Sequence, residues 1–225
     1  MPASILVKPD DPTLEPFVSG VLRRFGADLH EEDPQFAYRA LVDFAHDACM
    51  RRAHREPDYA PAILVGTQML GGVAHVSVAD NGEPVAAESV RQLYATIRSG
   101  RSGAVRRALV AGGRDGAEAI VGALGDALLA AFLIADQVTI ATRATEQPPD
   151  AGARYTCNSR TYTTTACRMA RPGTIIQLRI RSEHRPLATV DAVRDALVEH
   201  ARTLALPVRV GSDPTPINAA SLGAR

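Results

Sequence analysis

The sequence has no long apolar run and no excess of charge of either sign, and both absences limit what the protein can do. Its longest uninterrupted apolar segment, residues 127–135, is far shorter than the ~20 residues that span a bilayer. Lysine plus arginine and aspartate plus glutamate both number 25, so no long-range field gathers polyanions. We therefore expect no membrane span and neither nucleic acid nor membrane among the partners.

Cysteine and histidine are scarce and are not spaced as metal ligands. The three cysteines, Cys49, Cys157 and Cys167, form no CxxC pair, and the six histidines form no HxxxH or HExxH pair. A disulfide framework or a zinc site is therefore not expected. Lys8 is the only lysine, and with the many alanines this indicates composition bias rather than phosphate recognition. Because MPASILVKPDD has no basic segment followed by an apolar core, we expect a cytoplasmic protein.

Hydrophobic periodicity predicts one domain that mixes helices and strands. Apolar residues at helical spacing predict a helix from Asp33 to about Arg55, with Asp33 and Pro34 as cap and first turn. Further helices are expected at 88–97, 105–110, 117–135 and 187–204, around a glycine-rich loop at 99–103. Strand patterns cover residues 62–65, 73–79, 138–143, 154–157, 162–167, 174–181 and 207–210. Clustered antiparallel strands with separate helices predict an α+β fold.

Four segments stand in an order that resembles the nucleotide pocket of the GHKL ATPases. They are ALVDFAHDA at 40–48, DNG at 80–82, GALGDALLAAFLIAD at 122–136, and Gly173-Thr174. In detail, residues 33–210 resemble the N-terminal domain of the ninety-kilodalton heat-shock chaperones, called HtpG in bacteria. The resemblance implies a two-layer sandwich in which helices cover one face of a mainly antiparallel mixed sheet. Residues 1–32 would pack on that domain as a poorly matched segment, and residues 211–225 would be a tail or linker.

In the family that the sequence resembles, one helix face carries the residues that decide whether ATP is hydrolysed. Ala40, Phe44 and Asp47 share a face, because residues at i, i+4 and i+7 point the same way. In the family this face holds a glutamate that activates water, an asparagine that binds magnesium, and an aspartate near the ribose and purine. Only Asp47 remains. Alanine takes no proton and phenylalanine offers magnesium no oxygen, so we expect hydrolysis to be lost.

The part of the motif that reads the base is kept. The resemblance implies that Asp80 accepts a hydrogen bond from the exocyclic amine of adenine, with Gly82 beside it and Thr174 hydrogen-bonded to the carboxylate. Taken alone, Asp80-Asn81-Gly82 is also an ordinary turn after a strand. Glu83, Pro84 and Val85 follow where the family has other residues, and proline alters the local backbone path.

The phosphate side of the resembling pocket is altered. Glycine-rich backbone before a helix presents N–H groups to phosphate, and Gly122 and Gly125 would do so here. Asp126, however, places a negative charge beside the expected triphosphate. Arg98 and Ser99 match a basic residue and a serine of the mobile lid, and Leu128 lies where the helix lines the pocket. These residues complete the candidate nucleotide site.

The first hypothesis is a heat-shock-chaperone-like ATP-binding domain that keeps adenine recognition and lacks ATP hydrolysis. ATP or ADP is its expected ligand, magnesium has lost a ligand, and client proteins are its expected partners in protein folding and the stress response. The alternative is a pseudo-ATPase interaction module whose pocket is filled by Phe44, Leu128 and Val85. An active phosphotransferase of the histidine-kinase branch ranks last, because it needs the missing magnesium asparagine.

Overall fold

The computed structural model of the protein describes residues 33–90, 124–125, 127–128, 130–158 and 162–223. This part is an α+β fold with one seven-stranded mixed sheet, which confirms the predicted fold class. The strands are β1 (Ile63–Leu70), β2 (Val73–Asp80), β3 (Ala135–Arg143), β4 (Gly152–Asn158), β5 (Tyr162–Cys167), β6 (Gly173–Ile180) and β7 (Val208–Val210). Their order is β5-β4-β3-β6-β2-β1-β7, and only the β1–β7 pair is parallel.

The helices pack against one face of this sheet. They include α1 (Phe36–Arg55), the helical residues between 124 and 134 (α2), α3 (Val190–Ala201) and α4 (Ala219–Leu222), with a 3₁₀ helix at Ser182–Ala188. Residues 87–90 are also helical. Strand side chains alternate, so Val76, Val78 and Leu178 join the helices in one core. On the opposite face, Leu64 and Ile175 are 45% and 38% exposed. No helix in the described ranges is both long and apolar enough to cross a membrane.

The predicted first helix is present as α1. Its N-terminus is held by Asp33, whose Oδ1 accepts the backbone N–H of Gln35 at 3.0 Å and whose carboxylate pairs with Arg39. Helix α1 buries Leu41 and Ala45 in the core and leaves its basic last turn outside. Cations near a helix C-terminus are favourable because the carbonyl ends carry partial negative charge.

Several element boundaries differ from the predicted ones for local reasons. Strand β1 continues beyond Val65, because backbone pairing with β2 extends through Gly66 to Leu70. The buried helix α2 runs directly into β3 at Ala135. The helix predicted at 187–204 is split, since Thr189 caps α3 by accepting the N–H of Ala192 at 3.2 Å.

Residues after β7 pack on the domain through Asn218, which is 1% exposed. The side-chain oxygen of Asn218 accepts the N–H of Val208 at 3.1 Å, and its amide donates to the carbonyls of Ala201 and Leu206. The region expected to be a tail or linker is thus tied to β7 and the end of α3. Of the helix predicted at 88–97, residues 88–90 are helical and the rest lies outside the described residues. The helix predicted at 105–110, the loop at 99–103 and the segment 1–32 lie outside them as well.

Candidate functional site

Asp80 is a buried carboxylate at the end of β2, near the middle of the sheet. Its backbone pairs with Ile63 of β1 on one side and with Thr174 of β6 on the other. Its side chain accepts the backbone N–H of Gly82 at 2.8 Å and that of Thr174. Asp80 is the only buried carboxylate among the described residues. Three predicted site residues, Asp80, Gly82 and Thr174, are therefore in direct contact.

Burial raises the pKa of Asp80 to about 7, because the ionised form is poorly solvated there. The N–H donors of Gly82 and Thr174, and the charge of Arg51, act in the opposite direction. A further donor from a ligand would favour the ionised carboxylate in the same way. The carboxyl is thus suited to bind an amine and to change its protonation near neutral pH.

The chain after Asp80 folds back on α1, and glycine is required for this close approach. A Cβ on Gly82 would lie 2.5 Å from the backbone carbon of Ala48. The N–H of Glu83 donates to the carbonyl of Ala48 at 3.0 Å. The carboxylate of Glu83 pairs with Arg51 and Arg55, and these two arginines hold its pKa below the ordinary range. Both the backbone and the side chain of Glu83 therefore hold the turn against α1.

Asn81 fixes the other side of the turn. Its Oδ1 accepts the hydroxyl of Tyr59 at 2.6 Å and the N–H of Ala62 at 2.7 Å. Its Nδ2 donates to the carbonyl of Ala60 at 2.9 Å, and its backbone carbonyl accepts from Arg52. These contacts hold Asn81 in the turn and thereby fix the backbone next to Asp80.

Thr142 is part of the site although the sequence did not identify it. It pairs with Thr174 across β3 and β6, and the two hydroxyl oxygens are 3.4 Å apart. Thr142 Oγ1 accepts the N–H of Val85 at 3.0 Å. Pro84 therefore falls between two bonded N–H groups, where its missing N–H costs nothing. The alternation of 138–143 predicted a strand, but only the strand order places Thr142 beside Thr174.

The predicted row on α1 runs from the core to solvent. Ala40 and Phe44 are 5% and 8% exposed and belong to the main core, whereas the side chain of Asp47 is 58% exposed. Asp47 Oδ1 lies 3.5 Å from Nδ1 of His46. The structure thus does not bury Asp47 with Asp80, although the neighbouring Ala48 contacts the turn at Gly82.

The described residues of α2 are mostly buried and apolar. Leu128 is 2% exposed and shares the main core with Phe44, and Gly125 is buried and already helical. Of the other predicted nucleotide-binding residues, Arg98, Ser99 and Gly122 lie outside the described residues, as does Asp126. The described geometry therefore concerns the base-reading half of the expected site.

In the described ranges, no group of three or more histidine, cysteine, aspartate or glutamate side chains is placed to hold a metal ion. No known protein-family model matches the chain.

Replacing Thr142 with valine is expected to lower the free energy of unfolding by about 1 to 2 kcal/mol, because the N–H of Val85 loses its acceptor. Urea denaturation measures the change. Thr139→Val is the matched control, since Thr139 lies in the same strand with its side chain on the opposite, open face. Equal losses in the two variants would show that the Val85 contact adds nothing.

Proposed function

We propose that this protein is a nucleotide-binding domain of the heat-shock-chaperone (HtpG) type in the GHKL superfamily. It binds ATP or ADP through adenine, does not hydrolyse ATP, and works with client or partner proteins in the cytoplasm. The observation that carries the proposal is Asp80, a buried carboxylate that has hydrogen-bond donors beside it but no ion-pair partner among the described residues.

The chemistry of Asp80 favours an amine-bearing ring over other ligands. A buried carboxylate without a paired cation is costly unless its lone pairs are used. Gly82 and Thr174 supply N–H donors to the carboxylate, and the exocyclic amine of a bound ring would donate a further hydrogen bond to it. The apolar side chains of Phe44 and Leu128 lie in the main core of the same domain.

The absence of hydrolysis is proposed from the residues at positions 40 and 44. The resemblance places a general base and a magnesium ligand there, and Ala40 and Phe44 are apolar side chains within the core. A positioned base contributes about 10² to 10⁴ in rate, so its absence alone brings turnover close to background. Adding magnesium is accordingly expected to leave ATP turnover unchanged.

Calorimetric titration with adenosine, inosine and ATP tests the proposal. Adenosine is expected to bind at least ~10-fold more tightly than inosine, because inosine presents a carbonyl to the Asp80 carboxylate. Asp80→Asn is expected to reverse this preference, since the amide can donate to that carbonyl. Adenosine affinity is also expected to rise between pH 6 and pH 8 as Asp80 ionises.

Asp58→Asn is the control variant, because Asp58 is exposed in the loop after α1. It should leave both affinities unchanged. Equal binding of adenosine and inosine by the native protein, or rapid magnesium-dependent ATP hydrolysis, would refute the proposal.

A second candidate function is an interaction module with a filled pocket. Phe44 and Leu128 are both buried in one core, and Val85 is held over the sheet by Thr142. These contacts favour apolar side chains occupying space that a base would need. No heat of binding for any of the three ligands, together with an unchanged melting temperature, would support this second function.

A further inference from the structure

Within the described part of the chain, the β1 edge of the sheet is only partly covered by β7. Strand β7 pairs with β1 from Ile63 to Val65 and no further. Gly211, at φ +72°, donates its N–H to the carbonyl of Val65 at 2.8 Å and ends this pairing. The chain then returns along the far side of β7, because the N–H of Ile217 donates to the carbonyl of Val208 at 2.8 Å. Residues 66–70 of β1 therefore extend past β7.

Backbone groups of this extension point outward from the sheet. The β1–β2 hairpin closes through Gly71 and Gly72, both with positive φ, and such a two-residue turn closes on a hydrogen-bonded pair, here Leu70 and Val73. Because backbone groups alternate in direction along a strand, the N–H and C=O of Thr67 and Met69 point away from β2. The carbonyl of Val65, which accepts the N–H of Gly211, points the same way. Among the described residues, none pairs with Thr67 or Met69 on this side.

The exposed edge also lacks the features that normally prevent strand addition. Strand β1 has the sequence ILVGTQML, with no charge and no proline. Met69 and Leu70 at its free end are each 49% exposed, and Val73 across the hairpin is 39% exposed. Exposed backbone groups beside exposed apolar side chains form a surface to which an extended strand can add.

We infer that this edge binds the same edge of a second copy of the chain, so that the two β1 strands pair antiparallel across a two-fold axis centred on Gln68. In this register Thr67 lies opposite Met69 of the second copy, and the outward N–H and C=O groups of both residues exchange hydrogen bonds. An uncharged strand pairs with itself without like-charge repulsion. The inference does not involve Asp80.

The ends of the paired segments also fit this register. Beyond Leu70, the hairpin turn of one copy approaches the point where Gly211 ends β7 in the other. Gly71 and Gly72 have open space around them and no side chains to collide with that corner. Pairing is therefore confined to residues 66–70 of each copy.

Disulfide trapping of the full chain tests the register. In a non-hydrogen-bonded antiparallel pair the Cα atoms are about 4.5 Å apart, within the range of a disulfide. Gln68→Cys is therefore expected to form a covalent dimer under mild oxidation. Thr164→Cys is the matched control, because Thr164 is exposed on β5 at the opposite edge of the sheet. The native cysteines are all buried, which keeps background cross-linking low.

Sedimentation analysis tests the affinity without a cross-link. The native chain is expected to self-associate at concentrations on the order of 10 to 500 μM. Gln68→Lys brings two positive charges together at the axis and is expected to weaken the dimer at least ~10-fold, whereas Thr164→Lys leaves it unchanged. Circular dichroism checks that both variants are folded. A native chain that stays monomeric, a Gln68→Lys variant that associates as well as the native chain, or cross-linking only through Thr164→Cys would overturn the inference.

Discussion

Replacing Asp80 with asparagine is expected to raise the free energy of unfolding at pH 8 by about 2 to 4 kcal/mol. Burial raises the pKa of Asp80 from 3.8 to about 7, and each pKa unit corresponds to about 1.4 kcal/mol. Between about pH 4 and pH 7, Asp80 is therefore protonated in the folded state and ionised in the unfolded state. Native stability should fall as pH rises through that window, and the asparagine variant should lack this fall.

Urea denaturation at pH 5 and pH 8 measures both effects. Asp58→Asn, in an exposed loop, should show the pH dependence of the native protein. An Asp80→Asn variant less stable than the native protein at pH 8 would show that the carboxylate is favourable where it lies. If the variant gains stability and loses adenosine, then Asp80 is kept for binding at the expense of stability.

Replacing Gly173 with alanine is expected to lower the free energy of unfolding by at least about 3 kcal/mol and to abolish adenosine binding. Gly173 has φ +121°, which side-chain-bearing residues rarely adopt. Its Cβ would lie 2.2 Å from the backbone oxygen of Asp80, so β2 and β6 would have to separate at the site. Both effects displace the carboxylate from Thr174.

Gly71→Ala separates the cost of a positive φ from the cost of the clash with Asp80. Gly71 also has positive φ, but nothing lies within 4 Å of its Cβ position. Its replacement is therefore expected to cost only about 1 kcal/mol and to leave binding intact. Thermal unfolding and adenosine titration of both variants make the comparison, and similar losses in the two would show that contact with Asp80 is unimportant.

The sequence predicted the elements well where periodicity was regular and less well at their ends. Helix α1 and strand β5 lie where the apolar spacing and β propensity indicated them. The helix predicted at 187–204 was partly wrong, because a threonine cap at 189 starts α3 later than the apolar pattern suggests. Such boundaries depend on individual hydrogen bonds that periodicity does not encode.

The candidate site shows the same division. The DNG motif, with Thr174 taken from the family resemblance, identified Asp80, Gly82 and Thr174, and the structure places them in contact. Thr142 was missed, because its role depends on β3 lying beside β6, and strand order is a long-range property. Asp47 shares a helix face with Phe44 in sequence, yet its position at the end of that face leaves it in solvent.

By itself, the sequence determined the α+β class, the strand that ends in Asp80 and the apolar side chains at positions 40 and 44. Those features follow from local pattern and residue type. Only the tertiary structure decided that Asp80 is buried, that its pKa lies near neutrality, and that β1 extends beyond β7 with no further strand beside it among the described residues. Each of these depends on which strands pair and where each pairing stops, and contacts between residues far apart in the chain set both.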